Sequence, residues 1–277
     1  MTESVILIST VDSQGLIYKV SKVLFEHQVN IENNSEYVDP ETCQFYMRTH
    51  VKGELSHEKL LNDLKQDLPD GALVKISNHS SKDIVIMATK EPHVLSELLI
   101  RQFNGELNVN IKAVIANHDD LKPLVEKFQI PFHFISANDL SREQHEDKVM
   151  KTIKQYSPDI IVLAKYMRVL TPGFVSEFRK KILNIHHSFL PAFIGANPYK
   201  QAFDRGVKII GATAHFVTDD LDEGPIISQD TIHVDHSYSW QMMRKAGRNV
   251  EKSVLSNALE FLIEDRVIVE KNKTIIL

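Results

Sequence analysis

Asn184 and His186 stand two residues apart at the end of a short apolar run, Ile182-Leu183-Asn184-Ile185. On a strand, positions i and i+2 face the same side, so an amide and an imidazole should project together from its carboxyl end. Such a pair can hold a carbonyl oxygen as it becomes an oxyanion. Downstream runs Thr218-Asp219-Asp220-Leu221-Asp222-Glu223-Gly224-Pro225, an acidic loop that offers a carboxylate as the base. Together these residues suit acyl chemistry without a covalent nucleophile. Ser188 has no base beside it in sequence, so its expected role is to hold the loop or the His186 ring. His186, His187, His215, Asp222, His233 and His236 include the makings of a two-His-one-carboxylate metal set. No His-x-x-x-His or His-Glu-x-x-His spacing accompanies them, and no metal is expected.

These residues need a scaffold. From residue 83 onward, strand-like runs alternate with helical ones. The strands are Ile84 to Ala88, Val109 to Ala116, Phe132 to Ile135, Ile160 to Ala164 and Ile182 to His186. Helices are expected over Pro92 to Phe103, Leu121 to Phe128, Arg142 to Tyr156 and Phe174 to Phe178. Such alternation predicts an α/β fold with a Rossmann-like, mostly parallel, doubly wound sheet, which binds ligands beyond the strand carboxyl ends. Further strands are expected over Gly211 to Thr218 and Ile226 to His233, then a long helix from Ser239 to Ile263 and a terminal hairpin. Residues 1–80 read differently, as a ferredoxin-like βαββαβ pattern with Ser56 as a helix cap. Asn78-His79-Ser80-Ser81-Lys82 is a polar linker. The expected domains are therefore 1–80 and 83–277.

Composition sets further bounds. The chain has 277 residues, 43% hydrophobic and 25% charged, as in an ordinary globular protein with a sizeable core. The net charge of −5 and the lack of a basic patch disfavour a nucleic-acid partner. The single cysteine, Cys43, excludes an internal disulfide framework, fits a reducing compartment and reads as a small buried hydrophobe. No apolar run is long enough to span a bilayer, and Met1 to Ser4 lead directly into a strand. A soluble, cytoplasmic protein without a membrane partner is expected. No Gly-x-Gly-x-x-Gly accompanies the predicted sheet, which argues against a nicotinamide dehydrogenase.

The string Asn184-Ile185-His186-His187-Ser188-Phe189-Leu190-Pro191, followed by His215-Phe216-Val217-Thr218-Asp219-Asp220-Leu221-Asp222-Glu223-Gly224-Pro225, resembles the signature of the formyltransferase/hydrolase superfamily that uses 10-formyltetrahydrofolate. The resemblance implies that Asn184, His186 and Asp222 are catalytic. It places His215 as the residue orienting Asp222, with Ser188 in support. A carboxylate beside the folate ring is expected to have a raised pKa. Ala164-Lys165-Tyr166-Met167-Arg168-Val169-Leu170 resembles the stretch that lines the family's pterin pocket. It implies folate contacts from Met167, Arg168, Val169 and Leu170, together with backbone around Val217 and Thr218. Lys165 departs from the small residue usual there.

Residues 1–80 resemble the ACT domain through Asp12-x-x-Gly15-Leu16 and Val29-Asn30-Ile31. That resemblance implies a homo-oligomer and an amino-acid effector site near Asp12, Gln14, Gly15 and Asn30. A domain used only for oligomerisation fits the same residues equally well.

Formyltransferases that act on a phosphorylated glycinamide open their catalytic domain with a glycine-rich turn whose N–H groups hold the phosphate. Here the turn reads Ala88-Thr89-Lys90-Glu91-Pro92, with no glycine and an added carboxylate. Water is then the expected acceptor. With the ACT-like segment, Phe189 to Phe193 and Gly195-Ala196-Asn197-Pro198-Tyr199, the whole chain is similar to the formyltetrahydrofolate deformylases. The implied reaction is hydrolysis of 10-formyltetrahydrofolate to tetrahydrofolate and formate, supplying formate for purine biosynthesis and balancing the one-carbon pool. No cofactor is implied, since the folate is the substrate. The alternative is a folate-dependent formyltransferase acting on an unphosphorylated amine.

Overall fold

A computed structural model of the chain describes residues 2–193 and 197–277. It divides into two compact units. One comprises residues 2–80 with 264–268 and 275–277, and the other residues 81–263 with 269–274.

The first unit holds β1 (Glu3–Val11), α1 (Leu16–Glu26), β2 (Asn30–Asp39), β3 (Gln44–Lys52), α2 (His57–Asp67) and β4 (Leu73–Asn78). Its sheet has the order β2-β3-β1-β4, with antiparallel neighbours throughout. The apolar stripes of both helices pack on it, Val20 and Leu24 from α1 and Leu60 and Leu64 from α2 meeting Ile6, Ile8 and Met47. Ser56 accepts from the Lys59 N–H and caps α2 as expected. Cys43 departs from expectation. It is exposed, with φ +52, in the turn before β3 rather than inside the strand. The run Thr42 to Met47 looks continuous in sequence, but the reversal after Asp39-Pro40-Glu41 takes in Cys43.

One expected grouping does not form within a single copy. Val11 pairs with Gln44 at one end of β3, whereas Asn30 pairs with Lys52 at the other. Asp12, Gln14 and Gly15 follow Val11 directly, so the length of β3 separates them from Asn30. The cause is α1, which carries the chain back along β1 before β2 begins. All four residues are exposed.

The second unit is built on a seven-stranded sheet. Its elements are β5 (Lys82–Ala88), α3 (His93–Phe103), β6 (Val109–Ala116), α4 (Lys122–Val125), β7 (Phe132–Phe134), α5 (Arg142–Tyr156), β8 (Ile160–Ala164), α6 (Pro172–Glu177), β9 (Ile182–His186), α7 (Pro198–Arg205), β10 (Ile209–Phe216), β11 (Ile226–His233) and α8 (Trp240–Ile263). The strand order is β11-β10-β9-β8-β5-β6-β7. The pairs among β5 to β9 are parallel, and β10 and β11 continue the sheet antiparallel. The chain therefore winds outward in both directions from the β8–β5 boundary, the switch point where such sheets bind ligands. β5 and β8 read as continuous apolar runs because a central parallel strand is covered on both faces, and Ile84 to Ala88 and Ile161 to Ala164 are buried. The carboxy-terminal hairpin is β12 (Val267–Glu270) with β13 (Lys273–Ile276).

Helix α7 was not expected from the sequence. Its signals are local: Pro198 in the first turn and Gly206 at φ +70 closing it. β10 begins and ends two residues before the expected strand, although the Val217 N–H still donates to the Ile182 carbonyl of β9 at 2.9 Å. Gly195 and Ala196 of the Gly195 to Tyr199 motif lie outside the described residues. Among the described residues, no helix is long and apolar enough to cross a membrane.

Candidate active site

β9 runs beside β8, one strand from the switch point, and presents Asn184 and His186 on one face of the sheet. The neighbouring strand β10 is in register, with His215 opposite Asn184 and Thr213 opposite His186. Residues directly opposite in an antiparallel pair share a face, so two strands present Asn184, His186 and His215 together. The loop after β10 then brings in Asp222, which adopts φ +57, a conformation aspartate tolerates better than most residues. Gly224 fixes that loop. A Cβ at this position would collide with the Phe216 carbonyl, so only glycine allows the chain to turn so tightly here.

The polar contacts define the centre. His186 Nδ1 lies 3.3 Å from Asp222 Oδ2, and His215 Nε2 lies 3.7 Å from Asp222 Oδ1. His215 Nδ1 is 2.9 Å from the Phe216 carbonyl, which can only accept, so Nδ1 carries a proton. In the neutral ring Nε2 then accepts from Asn184 Nδ2 at 3.2 Å. His186 Nε2 is buried and has no hydrogen-bond partner among the described residues. A buried polar atom left in that condition is uncommon in native proteins and points to a bound group that completes it.

Asp222 departs from the expected raised pKa. Burial pushes it up, but His186 first, and the neighbouring His215 imidazole after it, outweigh burial and hold it below the usual carboxylate range. The sequence showed the apolar surroundings but not the two imidazoles. His187, by contrast, is pushed down to about 4, first by burial and then by Lys165, so it is neutral at neutral pH.

One cavity of about 650 Å³ opens onto this centre. Asn184, His186, His215 and Asp222 line it, as do the expected folate contacts Met167, Arg168, Val169, Leu170, Val217 and Thr218. Met167 is 60% exposed and Val169 47%, so the segment offers uncovered apolar surface to a flat ligand. The Met167 N–H donates to Thr89 Oγ1 at 3.0 Å, tying this segment to the turn after β5. Lys165, expected to depart from a small residue at this position, takes φ +60 and is buried. Ser188 does not line the cavity; its Oγ donates to the Ala192 carbonyl at 2.7 Å and holds the loop after β9. Among the described residues, the histidines considered as metal ligands form no group of three whose ligand atoms lie close enough together to share an ion, although His186 and His215 both approach Asp222. The grouping with suitably placed atoms is Glu3, His50 and His79 in the first unit, where Lys52 Nζ already lies 3.4 Å from Glu3.

The formyl transferase family profile matches residues 82–259, the part of the chain that carries this site. Over 275 residues the chain is 50% identical to a formyltetrahydrofolate deformylase from Haemophilus influenzae, an alignment covering 99% of each protein. The chain belongs to the formyltetrahydrofolate deformylase family. A crystal structure of a formyltetrahydrofolate deformylase from Pseudomonas syringae superposes with TM-score 0.95 at 37% identity, covering 100% of this chain and 95% of that one. Phosphoribosylglycinamide formyltransferase from Coxiella burnetii is similar with TM-score 0.67 at 28% identity over 71% of this chain and 94% of that one.

Several residues of this deformylase-family cavity escaped the sequence reading. Tyr199 and Glu251 line its wall and join His93, which stands behind them, in one network. Glu251 Oε2 lies 2.8 Å from His93 Nε2 and 3.4 Å from Lys165 Nζ, and Tyr199 donates to Glu251 Oε1 at 2.6 Å. Burial pushes the Glu251 carboxyl up, yet His93, Lys165 and Tyr199 together hold it down to about 2. Gly247 in α8 makes room, because a Cβ there would strike the Tyr199 ring. The one sequence signal was a glutamate among the apolar positions of a long amphipathic helix.

Proposed function

We propose that this protein hydrolyses 10-formyltetrahydrofolate to tetrahydrofolate and formate. The observation that carries the reading is the Asn184, His186 and Asp222 cluster at the head of an apolar cavity, in a chain half identical to a named deformylase. In this reading the pterin lies along Met167 to Leu170 and the backbone of Val217 and Thr218. Protonated His186 donates from both nitrogens, Nδ1 to Asp222 and Nε2 to the formyl oxygen, and Asn184 adds a second donor. Asp222 holds a water and takes its proton as the water oxygen bonds to the formyl carbon. The C–N10 bond then breaks, and N10 receives the proton. Asp222 is a weak base in the open pocket, and its basicity rises when the folate displaces water around it. His215 and Ser188 support this arrangement, the first against Asp222 and Asn184 and the second by holding the loop. No cofactor or metal takes part, and the formate released serves one-carbon supply to purine synthesis.

In the same reading, residues 1–80 hold a homo-oligomer together and carry an amino-acid effector site. Asn30 and the Asp12 loop lie at opposite ends of β3, so such a site takes residues from two copies.

The deciding experiment gives purified protein 10-formyltetrahydrofolate with no acceptor and follows formate. Stoichiometric formate supports the hydrolase. No formate without an added amine, and a formylated amine when one is supplied, makes the protein a transferase.

A further inference from the structure

The cavity has a second, charged end. Arg244 and Arg248 reach it from α8, Lys165 from the loop after β8, and Glu91 from the turn after β5. Arg244 and Arg248 are one helical turn apart and share a face. Their side chains are 45% and 38% exposed, yet both end on one carboxylate. Arg244 Nη2 lies 2.6 Å from Glu91 Oε1, and Arg248 Nη2 lies 3.4 Å from Glu91 Oε2. Guanidinium forks match the planar oxygens of carboxylates and phosphates, and two of them at a pocket wall beside a buried lysine make a site for an anion.

Here the anion belongs to the chain. His93 stands behind Glu91, its Nδ1 3.4 Å from Oε2 without a hydrogen bond, while Nε2 of the same ring bonds Glu251. Glu251 in turn holds Lys165 and Tyr199. Pro92 restricts the backbone at Glu91. Burial raises the Glu91 pKa, but Arg244, Lys165 and Arg248 more than offset it, so the carboxylate stays charged.

We propose that Glu91 is a built-in counter-ion that fills the anion position of this pocket, so that no phosphorylated amine can dock and the formyl group is left to water. The proposal rests on the hydrolase reading and names the residue that sets it. An incoming phosphate would have to displace a carboxylate already bonded to both arginines, and until it did it would face a like charge. Removing the charge of Glu91 should expose a latent phosphate site made by Arg244 and Arg248.

Inorganic phosphate is the probe, titrated calorimetrically into the full-length wild type and into Glu91→Gln, which keeps the side-chain size and removes the charge. The expected result is a dissociation constant at least tenfold lower for Glu91→Gln. Adding Arg244→Ala and Arg248→Ala to that variant should return it to the wild-type value. Glu91→Ala provides the same comparison should the glutamine variant fold poorly. Equal phosphate affinity in the wild type and the Glu91 variants overturns the proposal, as does a gain that survives loss of both arginines. Formate release by the same wild-type preparation is read separately. If it is absent, the hydrolase reading fails. If it is present while phosphate binding never changes, only the counter-ion proposal fails.

Discussion

His186 Nδ1 stands 3.3 Å from Asp222 Oδ2, although one residue ends β9 and the other lies in the loop beyond β10. This contact favours the ionised carboxylate in the free protein and ties its position to the ring proposed to meet the formyl oxygen. Asp222→Asn keeps the shape and removes the base. Formate release should fall about 10²–10⁴-fold, the usual share of general acid–base help. The thermal melt should show a folded protein. Near-normal turnover in this variant would remove Asp222 from the mechanism.

The low pKa of Asp222 also fixes the acid side of the pH profile. A carboxylate held below its ordinary range stays ionised above that range, so its protonation should reduce kcat/KM only under strongly acidic conditions. A pH–rate series from about pH 5 to 8 should show no limb that moves on Asp222→Glu. A limb in that window that does move would contradict the ion pairing described here.

Gly224→Ala tests the turn that presents Asp222. The added Cβ meets the Phe216 carbonyl, which is backbone and cannot swing aside, so the loop must shift. A misplacement of about 1 Å near reacting groups costs on the order of 10²-fold in rate. Formate assays should register that loss while circular dichroism registers a folded chain. Full activity would mean that the loop relaxes without moving Asp222.

Glu251 should govern acid stability. Its folded pKa, about 2, lies below the ordinary value of 4.5, so the stability it contributes is fully present above about 4.5 and is lost as the pH falls toward 2. Glu251→Gln leaves Lys165 buried without its counter-charge and should cost roughly 3–5 kcal/mol near neutral pH. The difference from wild type in denaturant melts should shrink steadily below about pH 4.5. A constant difference across that range would show that the folded carboxyl is not held below its ordinary pKa.

The effector site can be tested by mixing. If it joins the Asp12 loop of one copy to Asn30 of another, Asp12→Ala and Asn30→Ala should each abolish any response of formate release to free amino acids. Oligomers mixed from the two variants should regain part of it, since some interfaces then combine two unaltered halves. A panel of amino acids that never alters the wild-type rate would leave the segment with assembly alone.

The sequence by itself determined most of the local elements and their type, α7 excepted. Alternating patterns set the strands, and the buried parallel ones, β5 and β8, could be read from their unbroken apolar runs. The i, i+2 spacing put Asn184 and His186 on one face because a strand has a period of two. A missing glycine after β5 and a carboxylate at Glu91 were legible as composition. The tertiary structure alone decided what those charges meet. Pairing of β10 with β9 set His215 opposite Asn184, and two imidazoles reversed the expected pKa shift of Asp222. The return of α1 along β1 separated Asn30 from Asp12. Arg244, Arg248 and Glu251 come from a helix far along the chain, and nothing in their spacing foretold Glu91 or Lys165 as partners. Secondary structure follows periods of two and 3.6 that any short stretch displays. An electrostatic environment depends on distances between residues remote in sequence, and only the folded chain sets those.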